Sequence, residues 1–239
     1  MSTAPRHWAV VPAAGVGQRM AADRPKQYLP LCGRTVIEHS LERLLSHPAI
    51  EGIVVAVGVD DPYWADVRVE STKPVIRARG GRERCESVLN ALRLLTDRIG
   101  PEDWAVVHDA ARPCLAAEDL DRLLTALADD PLGGILATPV RDTMKREDGE
   151  GRVARTEERA GLWHALTPQM FRLGALIAAL EQAEADGYVV TDEASAIEHV
   201  GGQPRLIEGR ADNLKITRPE DLALAEFYLS RARAVHADP

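Results

Sequence analysis

Trp8-Ala-Val-Val-Pro-Ala-Ala-Gly-Val-Gly-Gln-Arg-Met20 is the stretch on which the fold turns. Trp8 to Val11 is a short apolar run, as a strand buried on both faces requires. It leads into a turn holding Gly15 and Gly17. A strand running into a glycine turn and then a helix aims backbone N–H groups at phosphate oxygens. Two familiar phosphate loops are excluded. The third glycine of the dinucleotide fingerprint would fall at position 20, where Met20 stands, and the region near 35–40 is patterned as a helix rather than an acid-tipped strand. No Gly-Lys-Ser/Thr of a P-loop occurs. Arg19 inside the turn and Lys26 in Arg24-Pro-Lys-Gln-Tyr28 add two cations, and such a loop can clamp a triphosphate. Either cation alone reads as an ordinary solvated side chain.

Outward from this turn, short apolar runs alternate with helical patterns. Thr35 to Leu45 reads as a helix, Ile53 to Val57 as a buried strand, and Pro74 to Ala78 as a weaker one. Glu83 to Leu95 is a helix with Val88, Leu92 and Leu95 on one face. Trp104 to Val107 is a strand. Leu120, Leu123, Leu124 and Leu127 mark an amphipathic helix, and Gly134 to Thr138 a further strand. This rhythm predicts an α/β fold, a three-layer, mostly parallel, Rossmann-like sheet covered by helices on both faces. Residues 1–239 read as one domain.

The rhythm breaks between Val140 and Thr156, a charged stretch with Gly149 and Gly151 beside Asp148 and Glu150. It reads as a two-stranded excursion. A lone hairpin is marginal in water, so residues 140–160 are expected to form a β-arm that rests on a second subunit. Phe171 to Glu184 and Asp192 to Val200 then read as helices, and Pro204 to Glu208 as a strand. Thr217-Arg-Pro-Glu220 reads as the capping box of a last helix through Leu229.

The formal net charge is −8, with 37 acidic against 29 basic residues, which argues against a nucleic-acid partner. Small anions need only a local cluster of cations. The cysteines are Cys32, Cys85 and Cys114, an odd number with no zinc spacing, as expected of a reduced, cytoplasmic chain. The segment before the first strand is short and polar, and no apolar run approaches the roughly 18 residues of a membrane span. The histidines show no paired-ligand spacing, so no protein-built metal site is expected.

Pro12-Ala-Ala-Gly-Val-Gly-Gln-Arg-Met20 with Pro25-Lys-Gln-Tyr-Leu29 resembles the 2-C-methyl-D-erythritol 4-phosphate cytidylyltransferase family. The likeness continues in order through Gly80-Gly-Arg-Glu-Arg-Cys-Glu-Ser-Val88, His108-Asp-Ala-Ala-Arg-Pro113 and Pro139-Val-Arg-Asp-Thr-Met-Lys145. Gly161-Leu-Trp-His-Ala-Leu-Thr-Pro-Gln169, Thr191-Asp-Glu-Ala-Ser195 and Glu208-Gly-Arg-Ala-Asp-Asn-Leu-Lys-Ile-Thr217 complete it. The resemblance implies a homodimer with a projecting arm, CTP and a sugar-alcohol phosphate as substrates, and Mg2+ held mainly by the CTP phosphates. It implies release of pyrophosphate as the cytidine-diphospho product of the non-mevalonate isoprenoid route forms.

By resemblance, Arg19, Lys26, Arg159 and Lys215 are the catalytic cations. Ala13, Ala14, Gly15, Gly17, Gly81, Arg82, Ser87 and Ala110 would surround the nucleotide, with Arg82 acting through its backbone. Asp109, Arg112, Thr143 and Thr167 would hold the acceptor, with Thr143, Arg159 and Thr167 reaching its phosphate from the arm region of a partner subunit. The chemistry agrees with the residues. A phosphate monoester is largely dianionic at pH 7 and is itself the nucleophile. No Ser-His-Asp or Cys-His arrangement is needed, and none stands out. Repulsion between anions is the obstacle, so cations carry the catalysis.

The nearest rival is a ribitol 5-phosphate cytidylyltransferase, which differs in the acceptor. Broader rivals are a sugar-phosphate nucleotidyltransferase using UTP or dTTP, a nucleotide-binding module without catalysis, and a dinucleotide-dependent oxidoreductase. Arg19 and Lys26 count against the module, and Met20 against the oxidoreductase.

Overall fold

The computed structural model describes residues 4–15 and 24–237, with side chains to residue 232. Strand β1 (His7–Pro12) is followed by a small hairpin, β2 (Pro30–Leu31) and β3 (Arg34–Thr35), and then by β4 (Ile50–Val57), β5 (Val75–Arg79), β6 (Trp104–Val107) and β7 (Gly133–Pro139). Strands β8 (Met144–Glu147) and β9 (Val153–Glu157) form the excursion, and β10 (Trp163–Arg172) and β11 (Arg205–Glu208) complete the set. Seven strands make one sheet in the order β11-β7-β10-β6-β1-β4-β5. Every neighbouring pair is parallel except those of β10, which runs antiparallel to both β6 and β7.

Helices α1 (Val36–Leu45), α2 (Arg84–Leu95), α3 (Ala117–Leu127), α4 (Leu173–Ala185), α5 (Glu193–His199) and α6 (Pro219–Ala237) surround this sheet. Alternate strand residues feed two cores. Ala9, Val11, Ile53, Val55 and Val106 meet Ile37, Leu41 and Leu44 of α1 and Leu120, Leu123 and Leu127 of α3. Val10, Val54, Ala56, Ala105 and Val107 meet α2, α4 and α5 through Val88, Leu92, Leu176 and Ile197. Each fully buried leucine contributes roughly 1.5–3 kcal/mol, so these two apolar layers fix the helices onto the sheet. Thr35 starts α1 with a capping box, its N–H donating to the Glu38 carboxylate at 2.6 Å.

Three elements depart from expectation. Phe171 and Arg172, read as the start of a helix, are the end of β10, and the helix begins at Leu173. Pro168 inside this central strand hides it from the sequence, because proline cannot donate to a ladder. It lies where the β10–β7 register shifts, between Ala165 and Gln169. Gly133 permits the close approach on the other side: at φ +127 a Cβ would stand 2.1 Å from the Met170 carbonyl oxygen. The capping box of α6 closes one residue later than expected, on Asp221 rather than Glu220. Its carboxylate accepts from the Thr217 N–H at 2.8 Å and the Arg218 N–H at 2.9 Å. The hairpin β2–β3 is the third, two residues per strand being too few for alternation to register.

The excursion is a separate two-stranded antiparallel sheet pairing Met144 with Glu157 and Lys145 with Thr156. Its side chains are mostly exposed, Val153 at 64%. Among the described residues no helix is long and apolar enough to cross a membrane.

Candidate active site

The chain moves from β1 to β4 and β5 on one side and then returns to place β6 on the other side of β1. Strand order reverses there, and a crevice opens at the carboxyl ends of the strands. Three strand ends supply its walls. Past β1 come Ala13, Ala14 and Gly15, past β5 come Gly80 and Gly81, and past β6 come His108 and Asp109.

Backbone and amide bonds hold these ends. Ala13 N–H donates to Ala56 O and Gly80 N–H to Val57 O, each at 2.7 Å. The buried Gln27 amide donates to Ala13 O at 2.7 Å and Gly15 O at 3.0 Å, so one side chain fixes the exit of β1. Position 80 admits only glycine, since a Cβ there would stand 2.3 Å from that of Ala14. The next turn is held from α2: Gly81 N–H donates to Ser87 Oγ at 2.9 Å and Arg82 N–H to Glu86 Oε2 at 2.7 Å.

Charge gathers on the floor. Lys215 Nζ lies 2.8 Å from Asp109 Oδ2, Arg84 Nε 3.1 Å from Oδ1, and Arg112 Nε 3.5 Å from Oδ2. Burial alone disfavours the Asp109 carboxylate, but Arg84, Lys215 and Arg112 together outweigh it and hold the carboxyl well below the usual range. Arg84 also forks onto Glu193, at 2.7 and 3.0 Å. Lys26 Nζ donates to Ile216 O at 2.9 Å, beside Lys215.

Behind Asp109 lies a closed ring of buried polar groups. Burial lowers the His108 pKa to about 4, so its imidazole is neutral at pH 7. Nε2 is 3.0 Å from Arg112 O, an acceptor, so Nε2 carries the proton and Nδ1 accepts from Thr167 Oγ1 at 3.0 Å. Thr167 Oγ1 in turn accepts from Asp109 N–H at 3.1 Å. Arg112 Nη1 donates to Asn213 O and Asn213 Nδ2 to Thr167 O, each at 2.7 Å. The ring sets the positions of Asp109 and Arg112 from behind.

Two adjoining hollows result. One is lined by the exits of β1 and β5 with Lys26, Asp109, Ala110 and Lys215. The other is lined by Arg112, Thr167, Gln169 and Asp192. Arg84, Asp109 and Lys215 border both.

Comparison with known proteins identifies this architecture. The sequence model of the 2-C-methyl-D-erythritol 4-phosphate cytidylyltransferase family matches residues 7–231. The chain belongs to that family.

It is 61% identical over 235 residues to the Ectopseudomonas mendocina 2-C-methyl-D-erythritol 4-phosphate cytidylyltransferase, covering 98% of this chain and 99% of that protein. It is 60% identical over 223 residues to the one from Pseudomonas putida strain GB-1, covering 93% of this chain and 95% of the other. The solved Francisella tularensis cytidylyltransferase superposes with a TM-score of 0.81 at 34% identity, over 93% of this chain and 99% of that one. As a member of the cytidylyltransferase family, the chain is a nucleotidyltransferase enzyme.

Of the residues singled out in the sequence, Ala13, Ala14, Gly15, Lys26, Gly81, Arg82, Ser87, Asp109, Ala110 and Lys215 share the first hollow. Arg112 and Thr167 line the second. Gly17 and Arg19 lie outside the described residues. Thr143 and Arg159 line neither hollow. They are exposed at the base of the excursion, where Arg159 donates to Arg141 O. Thr167, expected from the arm region of a partner, lies instead in the central strand β10 of the same chain, because Thr167 belongs to the run that pairs with β6 and β7. Its hydroxyl is committed within the ring, so its bonds place Asp109.

Sequence reasoning missed Arg84, Glu193, Gln27 and Asn213, although each stands within or beside a matched block of the cytidylyltransferase family. An acid in the first turn of a helix, as Glu193 is in α5, reads as an ordinary partner of the helix dipole. Only its 1% exposure marks it as needing a cation.

Among the described residues no group of three or more His, Cys, Asp or Glu is placed to hold a metal ion. Both Asp109 oxygens already face cations. This donor set fits an ion whose ligands are phosphate oxygens and water.

Proposed function

We propose that the two hollows hold CTP and 2-C-methyl-D-erythritol 4-phosphate, and that the chain joins them into 4-diphosphocytidyl-2-C-methyl-D-erythritol with release of pyrophosphate. The observation that carries this reading is the sharing of Arg84, Asp109 and Lys215 between the hollows. The family match favours methylerythritol phosphate over ribitol 5-phosphate as acceptor.

In this reading an oxygen of the acceptor phosphate attacks the α-phosphorus of CTP. A new P–O bond forms as the bond to the β-phosphate breaks, and pyrophosphate carries the electron pair away. No protein nucleophile takes part. Lys26 and Lys215, with Arg19, offset the charge growing on the α-phosphate and the leaving group. The N–H groups at Ala14, Gly15 and Gly17 donate to phosphate oxygens, and Gly81, Arg82 and Ser87 border the base. Asp109 stays ionised and repels phosphate, so it accepts hydrogen bonds from acceptor hydroxyls while Arg112 draws the acceptor phosphate. When bound, Mg2+ supplies neutralisation of the triphosphate; Lys26, Lys215 and the loop N–H groups hold the phosphates that would carry it.

Thr143 and Arg159 complete the acceptor hollow from the arm of a second subunit, which makes the working enzyme a homodimer. Three unpaired cysteines agree with a reduced, cytoplasmic setting. The test is pyrophosphate release from CTP and Mg2+ with each acceptor in turn. Release with methylerythritol phosphate alone is expected. Release with ribitol 5-phosphate alone would move the chain to polyol-phosphate metabolism, and release with neither would end the reading.

A further inference from the structure

In the block Thr191–Ser195, Thr191 and Asp192 line the second hollow, while Glu193 lines neither hollow and has no role in the chemistry described above. Glu193 is almost wholly buried, and an acid so deep needs a cation. Arg84 meets it with both terminal nitrogens, at 2.7 and 3.0 Å, while its Nε faces Asp109 Oδ1 at 3.1 Å. A planar guanidinium held at three points has one orientation. The start of α5 is itself pinned. Ser195 N–H donates to Asp192 Oδ1 at 3.0 Å, Gln169 Nε2 donates to Asp192 Oδ2 at 2.8 Å, and Ala194 N–H donates to Gln169 Oε1 at 2.9 Å. Glu193 is thereby anchored to β10, a central strand.

We propose that Glu193 is a positioning residue for the transfer reaction: it orients Arg84, and through Arg84 it holds Asp109 against the acceptor. Three cations, Arg84, Arg112 and Lys215, stand beside two carboxylates, Asp109 and Glu193, which leaves one positive charge for a phosphate. Without the Glu193 charge, Arg84 turns towards the triphosphate hollow that it also lines. Asp109 then keeps Lys215 and Arg112 on Oδ2 and loses its partner on Oδ1, so its aim shifts. The proposal rests on the assignment of Asp109 to the acceptor side.

The test is steady-state pyrophosphate release by the full-length variants Glu193→Gln, Arg84→Gln and the double variant, with each substrate varied separately. Thermal unfolding is measured alongside. Glu193→Gln is expected to raise the acceptor KM about tenfold and to leave the CTP KM within about twofold. The double variant is expected to be no worse than Arg84→Gln, because two residues acting in one line do not add. Additive losses overturn the relay, as does an equal rise of both KM values with a fall in melting temperature. Should Glu193→Gln alone fail to fold, the double variant against Arg84→Gln gives the same decision, since it leaves no unpaired buried charge. Asp109→Asn in the same assay separates the premise from the proposal: a selective rise in its CTP KM overturns the acceptor-side assignment, whatever the coupling of Glu193 to Arg84.

Discussion

Lys26 Nζ donates to the carbonyl oxygen of Ile216 at 2.9 Å, and this bond joins the segment after the glycine turn to the segment bearing Lys215. Ile216 N–H donates to Ala111 O at 2.9 Å, so the same segment is tied to the loop that follows β6. Two lysines far apart in sequence are thereby brought to one hollow. Lys26 is half-buried, and its amine contributes little to the core. Lys26→Ala is expected to stay folded and to lose about 10²–10³-fold in kcat, the usual cost of removing one preorganised charge. Circular dichroism with a pyrophosphate-release assay checks it, and near-normal turnover sinks the electrostatic role.

Asp109→Asn removes the anion shared by Arg84, Arg112 and Lys215. Arg84 then keeps only Glu193, and Arg112 and Lys215 lose the buried carboxylate they share. Breaking a buried pair from one side costs about 3–5 kcal/mol, and urea unfolding is expected to show a loss of that order. The sign with pH follows from the depressed carboxyl. Its contribution is fully present above the unfolded value near ~3.9 and is lost only as pH falls below that value. The expected pattern is a much less stable Asn variant whose difference from the wild type stays constant from pH 7 to 5. A variant as stable as the wild type would mean that the cluster is not held by Asp109.

Strands β1, β4 and β6 were readable through the continuous apolar runs Trp8–Val11, Ile53–Val57 and Trp104–Val107, and α3 because its leucines recur at helical spacing. Strand β10 was not, since Pro168 contradicts the local rule for a central strand and only pairing on both sides overrides it. Main-chain glycines and lysines of the site were readable through ordered blocks that no single residue would support. Arg84 and Glu193 were not, because a pair separated by 109 residues leaves no mark in local pattern. The His108 ring was hidden for the same reason: His108, Arg112, Thr167 and Asn213 meet only after β6 and β10 are neighbours.

Thr143 and Arg159 sit apart from both hollows on an exposed excursion whose strands carry mostly polar and charged side chains. Such a hairpin needs a partner surface. If the arm of one subunit serves the acceptor hollow of another, Arg159→Ala raises the acceptor KM about tenfold or more and leaves the CTP KM nearly unchanged. Sedimentation checks that the variant keeps the same oligomeric state. Equal loss for both substrates would show that the arm supports folding alone.

His108 gives the molecule a defined acid weakness. Burial holds its pKa near about 4, against an ordinary value of 6.5. Between those values the unfolded chain binds a proton that the folded chain refuses, so stability rises with pH across the window. It is fully present above pH 6.5 and falls as pH drops towards 4. The shift corresponds to roughly 3 kcal/mol. Protonation would also end the acceptance of the Thr167 hydroxyl by Nδ1 and open the ring behind Asp109. Urea unfolding of wild type and His108→Gln at several pH values is the check. The variant begins less stable, because Gln cannot reproduce both ring contacts, yet its stability should fall less steeply between pH 6.5 and 4. Parallel slopes for the two proteins would show that His108 takes its proton as readily folded as unfolded.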